Sequence, residues 1–400
     1  MSTGIIGSNA GRSRNHNRRV VLEFVRLNEP AGRAEIARDC GLSTQAVSNI
    51  IETLEQEGLL RAVGHRTGTR GKPALQYRFN SEGAFAVGVE LRPDAMVCAV
   101  LNLSGEQIYS KRVDLKIASP DYAIPALVEL VDRTIADIGR ERNTLLGTGI
   151  VMPGPFGDSG FGFSGVAALP GWENIKLRET FQNALHCPVI VENDATAAAI
   201  SERVAGVASD MNSFCFLYFG TGLGLGVIAH GHAQRGAYGN AGEIGHIITE
   251  VNGLPCPCGN QGCLETYVSR MGARNFLTKR GIDMSQGFPV EVLLEQQNPA
   301  MLDWIQCAGK HLSQAIGIVE NLFDPETIIL GGAMPDTVID ALISQLDLPC
   351  GSVSNRKKRI VPRVQRGSSG RLTAAIGGAA LIIHRTITPS NSIYNYTDIP

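Results

Sequence analysis

The sequence predicts an α/β protein headed by a winged helix-turn-helix. Three observations carry this. Strand-like and helix-like stretches alternate from about residue 85 onward, the pattern of mixed sheets covered by helices. Residues 1–80 instead give three helical patterns followed by a basic hairpin. Charge divides at the same place: residues 1–80 hold 12 Lys/Arg and 7 Asp/Glu, net +5, and the remaining residues are net −7. A basic module on an acidic body directs a polyanion to the first part only. Four hundred residues exceed one ordinary domain.

Arg14 to Leu27 places Val20, Val21, Phe24, Val25 and Leu27 at roughly helical spacing, and Pro30 ends the run. Two further helices lie in 33-RAEIARDCGLSTQAVSNIIETLEQEGLL-60. Ile36 and Ala37 face inward in the first, and Gly41 permits a tight turn. Ser43 or Thr44 caps the next helix, whose buried stripe is Val47, Ile50, Ile51 and Leu54. Thr44, Gln45, Ser48 and Asn49 are then left outward, short or amide side chains suited to base edges in a major groove. Strands around Leu60–Val63 and Leu75–Phe79 flank a wing with Arg66, Arg70 and Lys72, cations for phosphates or a minor groove. One such helix reads only a short site, so a dimer on a palindromic duplex is expected. A small helical bundle for protein docking is the bland alternative.

Further strands are expected at Phe85–Val89, Met96–Leu101 and Ile108–Val113, with a turn at Gly105. A helix over Tyr122–Ile138 buries Leu127, Leu130, Val131 and Ile135, with Pro125 in its first turn. Leu146–Met152 is a strand entering the turn-rich loop 153-PGPFGDSG-160. Val189–Glu192 is another, ending at Asn193-Asp194 before a small-residue helix over 195–206. Asp194 either caps that helix or presents a carboxylate to a ligand hydroxyl. In 214-FCFLYFGTGLGLGVIAHG-231 two strands flank glycines that suit either a tight hairpin or close approach to an anion. Met301–Glu320 is a long helix, 324-DPETIILGG-332 a turn, buried strand and double glycine, and Gly370–His384 a final helix.

The densest chemistry lies in 242-GEIGHIITEVNGLPCPCGNQGCLE-265. Cys256, Cys258 and Cys263 are separated by one and four residues, and His246 precedes Cys256 with nine residues intervening. Three thiolates and an imidazole suit a tetrahedral zinc ion, structural because no open position remains. A loop of free or disulfide-paired cysteines is the alternative. Nine scattered cysteines, an odd number, suggest a cytoplasmic protein with reduced thiols. With no apolar run of about 18 residues, no membrane span is expected.

Together, 192-ENDA-195, 219-FGTGLGLG-226, 242-GEIGH-246, 256-CPCGNQGCLE-265 and 329-ILGG-332 resemble the ROK family of repressors, open reading frames and sugar kinases. The resemblance spans nearly the whole chain. It implies a two-lobed actin-like (ribonuclease-H-like) sugar-kinase fold behind the winged domain. The division is then 1–80 for the reader, 81–205 for a first lobe completed by helix 370–386, and 206–369 for a second lobe with the zinc loop. It implies zinc on His246, Cys256, Cys258 and Cys263, and sugar contacts from Asn193, Asp194, Glu243, His246 and Glu265. His246 would serve both with its two ring nitrogens. The winged domain resembles that of the family's xylose, glucose and N-acetylglucosamine repressors, implying a homodimeric or tetrameric regulator with a carbohydrate effector.

Two departures bear on catalysis. The family's kinases hold ATP phosphate with an Asp-x-Gly-Gly-Thr loop, and here the matching stretch is 90-ELRPD-94. Pro93 has no amide hydrogen, and Glu90 and Asp94 add negative charge that Arg92 only offsets. Ala168 stands before Leu-Pro-Gly-Trp, where kinases often place asparagine. The expectation is no kinase activity, although Asp194 would be the base if any were retained. The competing readings are an active sugar kinase with an accessory DNA module, and a DNA-tethered scaffold that binds no sugar.

Overall fold

A computed structural model of the chain describes residues 13–65, 74–154, 169, 171–172, 175–285 and 287–389. The expectations for Arg66, Arg70, Lys72 and Ala168, and most of the 153–160 loop, lie outside these residues.

The reader comprises α1 (Ser13–Asn28), β1 (Ala31–Gly32), α2 (Arg33–Cys40), α3 (Thr44–Gln56), β2 (Leu60–His65) and β3 (Leu75–Phe79). Gly41 ends α2 at φ 64°, a left-handed conformation that favours glycine. Ser43, not Thr44, caps α3: its Oγ accepts the Ala46 N–H at 3.2 Å. Val47, Ile51 and Leu54 are buried and Ile50 partly so. The sheet order is β1-β3-β2; β1 is a third strand the hairpin pattern did not reveal.

The body opens with β4 (Phe85–Leu91), β5 (Ala95–Asn102), β6 (Gln107–Asp114), α4 (Pro120–Asp137), β7 (Leu145–Val151), α5 (Leu177–Leu185), β8 (Val189–Glu192) and α6 (Asp194–Ala205). It continues with β9 (Phe214–Phe219), β10 (Leu223–Ala229), β11 (His232–Ala233), α7 (Glu265–Val268), α8 (Arg270–Lys279), α9 (Val290–Glu295) and α10 (Pro299–Phe323). It closes with β12 (Ile328–Gly332), α11 (Asp336–Ser344), β13 (Val364–Ser369) and α12 (Thr373–Ile387). Most boundaries shift by one to three residues from the sequence expectation, and two shifts have a clear local cause. Pro120 takes the first turn of α4, and Pro125 lies inside the helix. The turn at Gly370, φ 134°, delays α12 to Thr373.

Two five-stranded sheets share one plan. Their orders are β6-β5-β4-β7-β8 and β11-β10-β9-β12-β13. In each, three antiparallel strands are followed by two parallel ones. The closing helices α6 and α12 pack on each other between the sheets, α6 against β9 and β10, α12 against β4, β5 and β7. Alanines make this possible: Ala195, Ala197, Ala198 and Ala199 of α6 are all buried. The seam under α12 is tighter still. A Cβ at Gly149 would stand 1.8 Å from the Gly378 carbonyl oxygen, and one at Gly88 1.9 Å from that of Ala375. Neither backbone oxygen can turn aside, so Gly149→Ala is expected to destabilise the protein by about 3 kcal/mol or more in urea unfolding. Gly351→Ala, where a Cβ meets open space, is expected to stay within about 0.5 kcal/mol. Equal midpoints for the two variants refute this packing.

The reader is not a loose appendage. α1 packs on α12, and one apolar cluster runs from Val20, Val21 and Val25 through Ile383 and Ile387 to α6.

Candidate ligand cleft and metal centre

β8 delivers Asn193 and Asp194 to the cleft between the sheets. Asn193, rather than Asp194, caps α6, its Oδ1 accepting the Thr196 N–H at 2.7 Å. Asn193 therefore keeps its two amide donors, and one lone pair of Oδ1, for a ligand. Asp194 is the first residue of the helix, with Oδ1 accepting the Ala195 N–H at 2.8 Å. Burial, then the charge of Glu90, pushes its carboxyl up to about 7, against the pull of that N–H. The preceding Glu192 is buried and pairs with Arg235 at 2.6 Å, tying β8 to the segment after β11. Arg235 was not foreseen, since nothing local in the sequence marks it.

The Gly220–Gly222 turn joins β9 to β10 as a tight antiparallel hairpin and runs between the acidic groups. A Cβ at Gly220 would stand 3.3 Å from Asp194 Oδ2, and one at Gly222 2.6 Å from Glu265 Oε2. Gly224 and Gly226 serve packing, since side chains there would meet Ala195 of α6. The tight-hairpin reading of these glycines thus holds, with close packing on α6 added at Gly224 and Gly226.

His246 ends a short turn, Ile244–His246. Its Nε2 is 4.0 Å from Glu243 Oε2 and its Nδ1 3.7 Å from Glu265 Oε1. Burial raises the Glu243 carboxyl, while His246 opposes that shift. Glu265, the first residue of α7, is buried.

The Nδ1 face of His246 meets the cysteines. Ligand atoms of His246, Cys256, Cys258 and Cys263 all lie within 4.8 Å of one another. Cys258 and Cys263 sulfurs are 3.6 Å apart, and Cys256 Sγ is 3.7 Å from His246 Nδ1. Bonds of about 2.3 Å to sulfur and about 2.0 Å to nitrogen around one tetrahedral ion require separations of this size. Burial pushes the Cys263 thiol up to about 11, so thiolate there at neutral pH calls for a cation. The donor set fits zinc, which would neutralise the thiolates and hold Glu243, His246 and Glu265 on one knot of backbone.

At the far side of the hairpin, Arg92 is bidentate to Glu90 at 2.7 and 2.6 Å and donates to the Arg371 carbonyl at 3.0 Å. Asp94 instead pairs with Arg112 at 3.1 Å. The two acids of 90-ELRPD-94 are thus each matched by an arginine. Tyr218 of β9 is buried, and its hydroxyl is held neutral by burial and by Glu90 and Asp194.

On the reader, Thr44, Gln45 and Asn49 are exposed and Ser48 half-exposed on one side of α3. Gln45 Nε2 donates to Asn49 Oδ1 at 3.0 Å.

The model of the ROK family matches residues 86–385. A xylose repressor of Bacillus spizizenii is 26% identical over 372 residues, covering 92% of this chain and 94% of that protein. The DNA-binding transcriptional dual regulator NagC of Escherichia coli is 27% identical over 337 residues, covering 80% and 81%. Among solved structures, a ROK family transcriptional regulator, described as a homolog of the E. coli MLC protein, superposes with a TM-score of 0.73. It is 26% identical and covers 94% of this chain and 96% of that one. A ROK family glucokinase from Streptomyces griseus, 23% identical, shares the fold at a TM-score of 0.58 over 74% of this chain and 99% of its own. The family match spans both sheets and the cleft between them, and the chain belongs to the ROK family.

Proposed function

We propose that the protein is a carbohydrate-responsive DNA-binding regulator, acting as a repressor. The carrying observation is the packing of the reader's α1 on α12, which in turn packs along α6, the helix that starts at Asp194. α6 starts at Asp194, and after twelve residues, about 18 Å of helix, it ends beside the reader. There Arg203 donates to the Met211 carbonyl and feels the charges of Glu23 and Arg26 on α1. The reading divides the chain into the reader 1–80, a lobe 81–205 completed by 370–386, and a lobe 206–369.

In this mechanism Asp194, Glu243 and Glu265 accept hydrogen bonds from sugar hydroxyls, Asn193 donates, and the His246 nitrogen away from the metal faces the sugar. Zinc would be bound by His246 and the three cysteines. Thr44, Gln45, Ser48 and Asn49 read bases, with Arg66, Arg70 and Lys72 against phosphates. Two copies on a palindrome have half-sites at a fixed spacing, so a small change in lobe angle alters affinity. The ligand must bind the two lobe arrangements with unequal affinity. The names of the relatives, a xylose repressor and a transcriptional dual regulator, support this reading.

Phosphoryl transfer is not expected, because Arg92 is committed to Glu90 and Pro93 offers no amide to phosphate. Band shifts on the chain's own upstream DNA, with and without a sugar panel, test the reading. The double variant Gln45→Ala/Asn49→Ala is expected to lose about 1–3 kcal/mol per base contact. Operator affinity that no sugar alters, or turnover of ATP on any sugar near one per second, overturns the proposal.

A further inference from the structure

The loop that leads into β13 is strongly basic. Arg356, Lys357, Lys358, Arg359, Arg363 and Arg366 fall within eleven residues, and no Asp or Glu stands between Asp347 and Asp398. Residues 81–400 as a whole are net −7, so this loop runs against its surroundings. Its arginines build the loop itself. Arg363 is bidentate to Glu320 at 2.7 and 2.6 Å, and Arg356 pairs with Asp324. Arg359 donates to the carbonyls of Ser354, Glu326 and Val361. Ser352 Oγ donates to Glu320 at 2.6 Å, and Asn355 donates to the Cys350 carbonyl at 2.9 Å. Lys357 and Lys358 are what this platform leaves outward. Both are exposed, and among the described residues neither has a hydrogen bond or an ion pair.

The platform stands beside the reader. The carboxylate of Glu326, whose carbonyl Arg359 holds, accepts the Asn212 and Ser213 N–H groups at 2.8 and 2.9 Å. Met211, one residue earlier, takes Arg203. Arg203 feels the charge of Glu326 together with those of Glu23 and Arg26 on α1, and Arg26 feels Asp210. Val361 packs on the apolar cluster that holds Val20, Val21 and Val25 of α1.

We infer that Lys357 and Lys358 form a second DNA contact, carried by the body, neutralising backbone phosphates of the duplex that the reader holds. Lysine is a compact point charge that serves phosphate without a fixed geometry. An acidic protein surface is the rival partner, favoured by the exposed Val353 and Ile360 beside the lysines. Lysine is depleted at protein–protein interfaces, which puts DNA ahead. The inference rests on the DNA-binding reading and adds the second lobe to the surface that grips the duplex.

Full-length protein is titrated onto its own upstream duplex by fluorescence anisotropy, between about 50 and 200 mM salt. The double variant Lys357→Gln/Lys358→Gln is expected to flatten the log K against log salt plot by about 2 to 4, since each neutralised phosphate contributes about 0.9 and a dimer brings four such lysines. Affinity should fall about tenfold or more at the lower salt. The ratio of operator to scrambled duplex should stay as in wild type, because phosphate contacts carry no base information. Lys357→Arg/Lys358→Arg should keep the wild-type slope. Lys279→Gln, an exposed lysine on α8, is the control and should change nothing. Both lysines are exposed, so melting temperatures should match. A wild-type slope in the double Gln variant overturns the inference, leaves the regulator reading standing and gives the loop to an acidic protein. A changed operator-to-scrambled ratio assigns the lysines to base reading and also overturns it. A wild-type protein that binds no duplex overturns both readings.

Discussion

Asp194→Asn is expected to weaken carbohydrate binding on the order of 100-fold or more, since it removes charge-assisted hydrogen bonds worth about 1.5–3 kcal/mol each. Operator binding without sugar should be unchanged, because Asp194 starts α6, about 18 Å of helix away from the end beside the reader. The same variant should show a pH signature. The folded carboxyl sits at about 7, above an ordinary aspartate near about 3.9. Between those values the folded chain keeps a proton that the unfolded chain has lost. Stability therefore falls as pH rises through that window. Asparagine has no such loss. Ligand-free Asp194→Asn should match wild type at pH 4 and be more stable at pH 8, by at most about 4 kcal/mol. Urea unfolding at the two pH values measures the difference. A variant less stable at pH 8, or one that binds sugar as wild type does, removes Asp194 from this role.

Loss of the metal should have the other large effect. Purified without chelator, the protein is expected to hold about one zinc per chain. Cys263→Ser should abolish that and lower the melting temperature on the order of 10 °C, because binding to the folded state alone contributes to folding. Cys263 is buried, whereas Cys350 is exposed and remote in sequence from the cluster, so Cys350→Ser is the matched control. Sugar affinity should fall together with metal content, because His246 and Glu265 belong to the same knot. Elemental analysis and melting curves decide it. A metal-free wild-type protein with an unchanged melting temperature and sugar affinity ends the structural-zinc reading.

What the sequence revealed depended on how local each signal was. The helices of the reader announced themselves by period, cap and glycine turn, all within a dozen residues. The metal cluster was legible because three of its ligands fall within eight consecutive residues. Asp194 was visible as an acid at a strand end that either caps the helix or faces a ligand; the hydrogen bonds give the cap to Asn193. Arg235 escaped notice because its meaning lies in a partner far along the chain, Glu192. The short helices α7, α8, α9 and α11 were not read, because four to ten residues each give too few turns to establish a 3.6-residue period. Glu90 and Asp94 read as negative charge that Arg92 only offsets, and the second arginine, Arg112 on Asp94, came from the neighbouring strand.

The glycine seam beneath α12 has a bearing on motion. Backbone pressed on backbone at Gly88, Gly149 and Gly378 leaves no deformable side chains to absorb strain, so that sheet and α12 must travel as a single slab. α1 is seated on the same slab. In the regulator proposed above, a swing of the opposite lobe would pivot at the alanine face of α6 and reach the duplex as a change in the stance of the two readers.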